Sequence, residues 1–465
     1  MEEIIVIGAG VAGLSVAWEL LDRAPDAPVR IYEAAEVPGG NIHTDHVDGF
    51  TIEWGPNGFL DNVPETLHLI DRLGISDRLL PASQASKRRY IWRRGRLHEV
   101  KANPVAFLAS GILSWPGKLR ILAEPFTGPP PEDDQTVYEF AVRHIGAEAA
   151  SILVDAMTSG VFAGDERRLS LRSAFPKMHE MEQNYRSLVR AMLARQWRRK
   201  RRDAPGDRVG GPAGPAGHLT SFKSGMAELI AGLVRAVGPD RIAFGNGARS
   251  VEFLGPNRFR VALADGTARE ASAAVIAVPA WDAAPLVRGM DGGLGGTLEQ
   301  IPGAPVAVVA LAFRRAEVAH PMDGFGFLVP RGEGLRILGS LWTSSIFPGR
   351  APEGFVLLRT MVGGAHSPEY VGLDDERLVA LVREDLRTAM GIEAEPVLSR
   401  IYRYGRGIPQ YLVGHAERLR RIEAACARLA GLHVAGNSYE GIAVNSCIRT
   451  AGPLAERLLA GVGAS

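Results

Sequence analysis

Three glycines near the start of the chain have the spacing of a phosphate-binding turn. Gly8, Gly10 and Gly13 follow the apolar run Ile4–Ile7 and precede a stretch of helical composition. In such a strand–turn–helix unit, the first glycine permits the tight turn, the second lets backbone approach a pyrophosphate, and the third lets helix pack on strand. The helix N-terminus adds unpaired N–H groups and a dipole that favours anions. The pattern therefore predicts a bound dinucleotide.

An acidic residue and a second glycine pair refine this prediction. Glu33 lies twenty residues after Gly13, at the end of the apolar run Val29–Tyr32. A carboxylate at this point binds ribose hydroxyls and repels a 2′-phosphate, which argues against NADP. Gly39 and Gly40 follow shortly afterwards and allow backbone to approach the cofactor again. Because an extended FAD needs both approaches, the sequence favours FAD over NAD.

The spacing of apolar residues predicts the elements that hold these groups. A strand, a helix and a second strand form a βαβ unit within the first thirty-three residues. Residues 104–175 have helical spacing broken by proline and glycine. A glycine- and proline-rich linker is predicted at 204–217. The rest of the chain predicts strands at 241–253, 258–264, 273–278, 306–313, 355–362 and 432–435, and a helix at 444–459.

The composition excludes several classes of protein. Hydrophobic residues make up 46% of the 465 residues and charged residues 23%, which argues against a disordered or coiled-coil chain. Because 53 Lys and Arg face 52 Asp and Glu, no overall field attracts nucleic acid, and no nucleic-acid partner is expected. Cys426 and Cys447 form no CxxC pair, which argues against a disulfide scaffold and fits a reducing compartment. With no clustered histidine pattern, no metal site is expected.

Two segments in the middle of the chain combine apolar and basic residues. Residues 104–126 form an apolar stripe that includes Trp115 and Lys118, and residues 186–202 contain eight Arg or Lys and no acid. Such segments either rest on anionic lipid or pack within a helical domain. The longest apolar runs are shorter than the ~20 residues of a membrane-spanning helix. We therefore expect a cytoplasmic protein, with peripheral contact at the inner face of the cell membrane left open.

Blocks distributed along the whole chain resemble the flavin-dependent protoporphyrinogen oxidases, within the amine oxidase and phytoene desaturase superfamily. The first two blocks are shared across the superfamily, whereas GVFAGD, GFGFLVP, GIPQY and SYEGIAVNSCI are narrower. The blocks are residues 4–13, 33–40, 53–59, 160–165, 323–330, 407–411 and 436–448.

The resemblance implies an α/β fold class: a discontinuous Rossmann-like FAD-binding domain, an antiparallel-sheet substrate domain and an inserted α-helical domain. The FAD-binding domain is predicted from residues 1–84, 208–282 and 426–465. The substrate domain is predicted from 85–102 and 283–425, and the helical, membrane-associating domain from 103–207.

The resemblance also implies which residues contact FAD. Ala248 would face the adenine, and the helix start at 442–444 would lie along the isoalloxazine, where its dipole stabilises the anionic reduced ring. Asn41 departs from the family, many of whose members have arginine there, so one phosphate is less well neutralised. The implied contacts are Gly8, Ala9, Gly10, Val11, Ala12, Gly13, Glu33, Ala34, Gly39, Gly40, Asn41, Gly55, Pro56, Asn57, Gly58, Ala248, Ile442, Ala443 and Val444.

For the substrate, the resemblance implies an apolar site with a cationic edge. Arg89 would pair with a propionate of a tetrapyrrole, and Phe325 and Leu328 would sandwich the macrocycle. The other implied substrate contacts are Met157, Gly160 and Met361. Arg89 lies among seven cations within residues 87–101, and the apolar residues that alternate with them indicate a solvated strand face carrying one functional arginine. No catalytic acid, base or nucleophile is assigned.

The implied activity is the FAD-dependent oxidation of protoporphyrinogen IX to protoporphyrin IX in heme synthesis. Three two-electron steps would transfer hydride to FAD, with oxygen or a quinone as acceptor and hydrogen peroxide as the product of oxygen. Oxidation of coproporphyrinogen III to coproporphyrin III on the same fold is the alternative. A flavin amine oxidase, a carotenoid desaturase, or a flavin-binding redox sensor without turnover is more remote. A homodimer is left open.

Overall fold

The structure, a computed structural model, describes residues 3–101, 103, 106–107, 109–201 and 217–462. Apart from Gly217, the predicted linker lies outside these residues. In chain order the strands are β1 (Ile4–Ile7), β2 (Val29–Tyr32), β3 (Thr44–Val47), β4 (Phe50–Glu53), β5 (Phe59–Leu60), β6 (Leu79–Pro81), β7 (Tyr90–Arg93), β8 (Arg96–Glu99), β9 (Leu219–Phe222), β10 (Ile242–Ala243), β11 (Ala248–Gly255), β12 (Arg258–Leu263), β13 (Ala268–Ala271), β14 (Ala273–Ile276), β15 (Gly303–Arg314), β16 (Gly326–Leu328), β17 (Ile337–Leu341), β18 (Phe355–Gly363), β19 (Leu398–Pro409) and β20 (Leu432–Val434).

Helices cover the sheets and form a separate layer in the middle of the chain. They are α1 (Val11–Arg23), α2 (Pro64–Arg72), α3 (Trp115–Leu122), α4 (Val137–Ile145), α5 (Ala147–Ala149), α6 (Asp155–Phe162), α7 (Leu171–Ala174), α8 (Pro176–Tyr185), α9 (Leu188–Arg201), α10 (Ala227–Val237), α11 (Ala280–Val287), α12 (Gly292–Glu299), α13 (Thr343–Ile346), α14 (Asp375–Met390), α15 (His415–Arg428) and α16 (Val444–Val462). Among the described residues, none of these helices has the length and apolar content needed to span a bilayer.

A five-stranded parallel sheet is assembled from three distant parts of the chain. Its strand order is β10-β2-β1-β14-β20. Strand β1 is buried on both faces: Ile4 and Val6 belong to one core cluster, and Ile5 and Ile7 belong to the other. Continuous apolar runs are typical of parallel strands covered by helices on both sides. The predicted α/β fold with a discontinuous Rossmann-like sheet is confirmed.

The single strand predicted at 241–253 is wrong. The chain forms β10, turns, and then enters β11, which pairs with β12 and β13 in a separate antiparallel sheet. Gly245 has φ +65°, a left-handed conformation that a strand does not tolerate. The next residue, Asn246, donates its side-chain amide to Asp265 at 2.9 Å and so fixes the turn. Apolar content alone did not reveal this break.

A seven-stranded sheet forms the second unit, in the order β19-β15-β18-β17-β16-β7-β8. The prediction of an antiparallel sheet holds for every pair except β16 and β7, which run parallel. Strand β7 comes from a distant part of the chain, so no hairpin turn fixes its direction relative to β16. The back face of this sheet is covered by α14, whose Leu378, Val382 and Leu386 are buried against it.

The packing of three helices, α11, α12 and α15, favours domain boundaries different from the predicted ones. Leu286 of α11, Leu298 of α12 and Ile422 of α15 belong to a core cluster with Ile5 and Ile7 of the parallel sheet. These helices therefore cover the parallel sheet rather than the seven-stranded one. The boundaries at 282/283 and 425/426 stay predictions, and this packing favours boundaries nearer 302 and 414.

A buried ionic network organises the helical domain. His144 lies between two carboxylates, with Nδ1 2.8 Å from Glu124 and Nε2 2.9 Å from Glu182. Glu124 also accepts hydrogen bonds from the Ser187 hydroxyl and the Leu188 N–H, both at 2.6 Å. Burial acts to raise the pKa of Glu124, but these hydrogen bonds lower it to about 2. The network thus caps the basic helix α9 at its first residue, two residues later than the sequence predicted.

Candidate active site

The glycine-rich turn has the geometry that its pattern predicts. Gly8 ends β1 with φ +107°, a conformation that side chains disfavour. A Cβ on Gly13 would lie 2.0 Å from the Gly8 carbonyl oxygen, so only glycine lets α1 pack this closely. The first and third glycines are therefore required by the protein's own backbone.

The second glycine faces open space. A Cβ on Gly10 would have the Gly40 Cα as its nearest neighbour, at 4.0 Å. The two glycine segments lie side by side, since Gly10 forms a β-bridge with Gly39 and the Gly39 N–H donates to the Ala9 carbonyl at 2.9 Å. The room beside Gly10 fits a pyrophosphate at the N-terminus of α1.

Glu33 holds the turn and the second strand together. Its carboxylate accepts hydrogen bonds from the Ala9 N–H at 2.6 Å and the Ala35 N–H at 2.9 Å. The neighbouring Ala34 lies against Gly247, where an added Cβ would be 2.6 Å from the Ala34 Cβ. Ala248, at the start of β11, is therefore brought to the same end of the sheet as Glu33, as the implied adenine contact requires.

The 55–58 loop is held by an arginine that the sequence analysis missed. Arg359 of β18 is 3% exposed and donates to the Gly55 carbonyl at 2.7 Å and to Asn57 Oδ1 at 3.2 Å. Burial lowers the pKa of this arginine. Trp54 Nε1 and Asn57 Nδ2 are buried donors without a partner among the described residues. Such donors fit the oxygen- and nitrogen-rich edge of a flavin dinucleotide. The sequence signal that could have identified Arg359 is an arginine within an otherwise apolar strand.

The C-terminal segment meets the other cofactor segments at the start of α16. The Tyr411 hydroxyl donates to the Asn437 carbonyl at 2.5 Å and accepts from the Gly441 N–H at 2.9 Å. Helix α16 then begins at Val444, as predicted, and Val444 shares a core cluster with Val11. Ile442 is half-buried and Ala443 is exposed at this helix start.

The implied FAD contacts therefore form one surface. Gly55 abuts Asn41, because a Cβ on Gly55 would lie 2.0 Å from the Asn41 carbonyl oxygen. Gly58 lies against Thr220 of β9, where an added Cβ would be 2.5 Å from the carbonyl oxygen. The turn at 8–13, the Glu33 region, the 55–58 loop and the α16 start are thus joined by direct contacts, and their residues fit the flavin.

The implied substrate residues also come together, in a region that we call the slot. Gly160 of α6 lies directly under Leu328 of β16, since a Cβ on Gly160 would be 2.7 Å from Leu328 Cδ2. Met157 lies three residues earlier on α6 and so shares a helix face with Gly160. Met361 of β18 pairs with Gly339, whose added Cβ would be 3.1 Å from Leu328 Cδ2. The walls of the slot are thus α6, β16 and β18.

The slot lies beside the cofactor segments. Met361 and Arg359 are two residues apart on β18, and alternate residues of a strand share a face. The Arg359 guanidinium reaches the 55–58 loop from this face. Leu328, on the same sheet, packs against the helical domain next to Ile152. The slot is therefore enclosed by the seven-stranded sheet, the helical domain and the loop that carries implied FAD contacts.

Arg89 differs from its cationic neighbours. Its guanidinium lies 5.3 Å from the centre of the Phe325 ring, and burial lowers its pKa with no acidic group of the described residues offsetting the effect. By contrast, Arg88 pairs with Asp323 and Glu99, and Arg93 pairs with Glu333. These cations lie on a β7–β8 hairpin rather than on one continuous strand. Arg89 thus presents an uncompensated positive charge beside an aromatic ring, which suits an anionic ligand with an apolar body.

Known proteins are similar to this chain in sequence and in fold. Residues 11–459 match the family described as flavin containing amine oxidoreductase. The coproporphyrinogen III oxidase of Bacillus subtilis (strain 168) is 29% identical over 462 residues, covering 96% of each chain. The chloroplastic protoporphyrinogen oxidase of Nicotiana tabacum is 29% identical over 465 residues, covering 97% of this chain and 84% of the relative. The solved structure of an Exiguobacterium sp. 255-15 protein, described as a candidate protoporphyrinogen oxidase, has the same fold, with a TM-score of 0.85 at 24% identity and 99% coverage of both chains.

Proposed function

The chain belongs to the flavin-containing amine oxidoreductase family and is an FAD-dependent oxidoreductase of the porphyrinogen-oxidising kind, and on that premise we propose that it oxidises protoporphyrinogen IX to protoporphyrin IX. The observation that carries the substrate is Arg89, an exposed cation over the Phe325 ring with no acidic partner among the described residues. A porphyrinogen is a wide apolar ring with carboxylates on one edge, and this combination of ring and charge matches it.

The protein's own residues bind and orient the substrate. Arg89 forks onto a propionate and fixes the rotation of the ring. Phe325 and Leu328 contact the faces of the macrocycle, while Met157 and Met361 fill its flanks and exclude water. When bound, FAD would be the hydride acceptor and would pass the electrons to oxygen or a quinone. Because the ring gains aromaticity, the chain mainly has to position and desolvate it.

The charges around the slot favour a ring with two carboxylates. Arg88 and Arg93 are already paired with acids, and Arg89, whose guanidinium lies over the Phe325 ring, is the cation best placed to bind a propionate. Coproporphyrinogen III, with four propionates, is the second candidate. Two observations favour it: Lys87, just before the hairpin, and Arg94, at its turn, are both exposed, and the Bacillus subtilis relative carries that activity in its name.

The proposed function is tested by anaerobic mixing of the yellow holoenzyme with each porphyrinogen. We expect protoporphyrinogen to bleach the flavin faster than coproporphyrinogen, and air to restore the colour with release of hydrogen peroxide. Faster bleaching by coproporphyrinogen would favour the second candidate. Colour that persists with both would contradict the function and indicate a flavin-binding sensor or another substrate. Restoration of the colour by a quinone without oxygen would identify the acceptor as a quinone.

We also propose that an exposed apolar surface of the helical domain contacts the inner face of the cell membrane. Trp115, Leu119 and Leu122 line one side of α3 and are 70%, 63% and 57% exposed. Phe126 and, on α9, Trp197 are also exposed, at 83% and 71%. Arg190 is an exposed cation on α9, about two turns before Trp197. Aromatic residues close to cations suit an anionic bilayer surface.

Phe126→Ser is expected to weaken binding to vesicles that contain phosphatidylglycerol. An exposed phenylalanine inserted into lipid contributes about 1.5 kcal/mol or more, so the partition coefficient onto the vesicles should fall about tenfold. Val397→Ser, which removes an apolar side chain that is 45% exposed elsewhere, is the matched control. Equal binding by all three proteins in a flotation assay would exclude this surface. A concentration-dependent dimer that Phe126→Ser disrupts would instead assign the surface to a second copy of the chain.

A further inference from the structure

Behind the slot lies a buried group of ionisable side chains that the proposed reaction does not use. Asp155 is the first residue of α6, Glu166 follows that helix, and His366 follows β18. One polar atom from each lies within 4.8 Å of the other two. Asp155 is 1% and Glu166 is 2% exposed. Asp155 Oδ1 and Glu166 Oε2 have no hydrogen-bond partner among the described residues.

Two buried carboxylates that face each other need a cation or a proton between them. A divalent metal would use the Nε2 atom of His366, but the Arg331 guanidinium donates to that nitrogen at 3.1 Å. The Arg331 N–H also donates to Asp155 Oδ2 at 2.6 Å. A nitrogen whose lone pair accepts this hydrogen bond does not bind a metal at the same time. The contacts therefore favour a proton, shared by the two carboxyl groups.

The titration of Glu166 agrees with this assignment. Burial, followed by the charge of Asp155, raises the pKa of Glu166 to about 7. Asp165 acts in the same direction, whereas Arg167 lies 3.4 Å from the other Glu166 oxygen. Arg331 is shared with Asp165, at 3.4 Å. With His366, these are the charged groups that face the pair.

Each wall of the slot is connected to this cluster by sequence or by a hydrogen bond. On α6, Asp155 precedes Met157 and Gly160. On the second wall, Arg331 comes three residues after Leu328. On the third, the Ala365 N–H donates to the carbonyl of Ala163, just past the end of α6, at 2.8 Å. The cluster thus lies where the three walls are joined.

We propose that Asp155, Glu166 and His366 form a positioning junction in which a proton shared by the two carboxyl groups holds the walls of the slot together. The proposal rests on the proposed function for the identity of the ligand in the slot. Loss of the proton puts two negative charges against each other at the joint. The walls then separate, and substrate binding weakens while the FAD segments are unaffected.

The junction is tested by the pH dependence of KM and kcat between pH 6 and 9. For the native holoenzyme, we expect KM to rise about fivefold as pH passes about 7. This corresponds to repulsion between the two carboxylates on the order of 1 kcal/mol. Flavin content should stay constant, and kcat should change less than KM. In Glu166→Gln, the side-chain amide donates to Asp155 at every pH, so KM should stay flat. Glu252→Gln, at an exposed position on β11, is the control and should follow the native profile.

Thermal unfolding tests the junction without substrate. Because the folded pKa of Glu166 lies above its ordinary value of 4.5, its contribution to stability is complete below about 4.5 and is lost as pH rises to about 7. The melting temperature of the native protein should therefore fall relative to Glu166→Gln over this range. If no variant turns over a porphyrinogen but the melting temperatures follow this course, the proposed function fails and the proton-sharing pair stands.

Two results would overturn the junction. The first is that native and Glu166→Gln proteins have the same KM and stability profiles. The second is stabilisation of the native holoenzyme by added Mn²⁺ or Zn²⁺ that Glu166→Gln abolishes, because a metal would then take the place of the proton.

Discussion

Gly10→Val is expected to give a folded protein that lacks FAD. Gly10 has φ −75° and ψ 176°, an extended conformation that valine adopts readily, and an added Cβ meets no protein atom closer than 4.0 Å. The branched side chain would instead occupy the space through which a pyrophosphate reaches the N-terminus of α1. We expect flavin absorbance per protein to fall about a hundredfold or more at equal added FAD. The substitution should therefore weaken FAD binding without destabilising the fold.

The control for this variant is Gly289→Val. Gly289 is exposed, lacks a positive φ and has no atom within 4 Å of an added Cβ, so valine there should change neither flavin content nor circular dichroism. A Gly10→Val protein that purifies as yellow as the native one would contradict the placement of the pyrophosphate beside Gly10. Loss of the circular dichroism spectrum in Gly10→Val would show a folding defect, and Gly10→Ala then repeats the test with a smaller side chain.

Arg89→Ala is expected to raise KM about 10- to 100-fold and to leave the flavin content unchanged. A charge-assisted hydrogen bond to a carboxylate is worth about 1.5–3 kcal/mol, and among the described residues no acidic partner has to release Arg89 when the substrate binds. Because Arg89 contacts the edge of the ring and not the reacting carbon, kcat should change less than KM. Steady-state turnover with both porphyrinogens measures the two constants separately.

Lys87→Ala is the matched control, since it removes one exposed positive charge two residues away. Its KM should stay within about twofold of the native value, because, of these two cations, it is Arg89 whose side chain lies over the Phe325 ring. Arg89→Lys should recover part of the loss, because lysine keeps the charge and lacks the planar fork. Unchanged KM for Arg89→Ala with both porphyrinogens would remove this residue from the substrate site.

Local sequence patterns were sufficient to predict the FAD-binding turn. Ile4–Ile7, Gly8 and Gly13 are adjacent in the chain, and the requirements for a buried strand followed by a tight turn act between neighbours. The start of α16 at Val444 was predicted for the same reason. The turn that separates β10 from β11 was missed because apolar content continues through it, and only the positive φ of Gly245 marks the break.

The groups of the slot were brought together by contacts between distant segments. Arg359 reaches the 55–58 loop across about three hundred positions of sequence, and Asp155 meets His366 across about two hundred. No spacing rule connects such residues. Arg359 and Glu166 were accordingly missed. For Arg359, the presence of a charged residue in an otherwise apolar strand was a usable signal.

The sequence by itself determined the class of cofactor, the α/β fold and the blocks that carry the resemblance, because these depend on short-range constraints on backbone shape and burial. The tertiary structure alone decided that Arg88 and Arg93 pair with acids while Arg89 lies over Phe325, that β16 and β7 run parallel, and that two buried carboxyl groups lie side by side. Those features depend on the balance of charge and desolvation between segments that meet only in the folded chain.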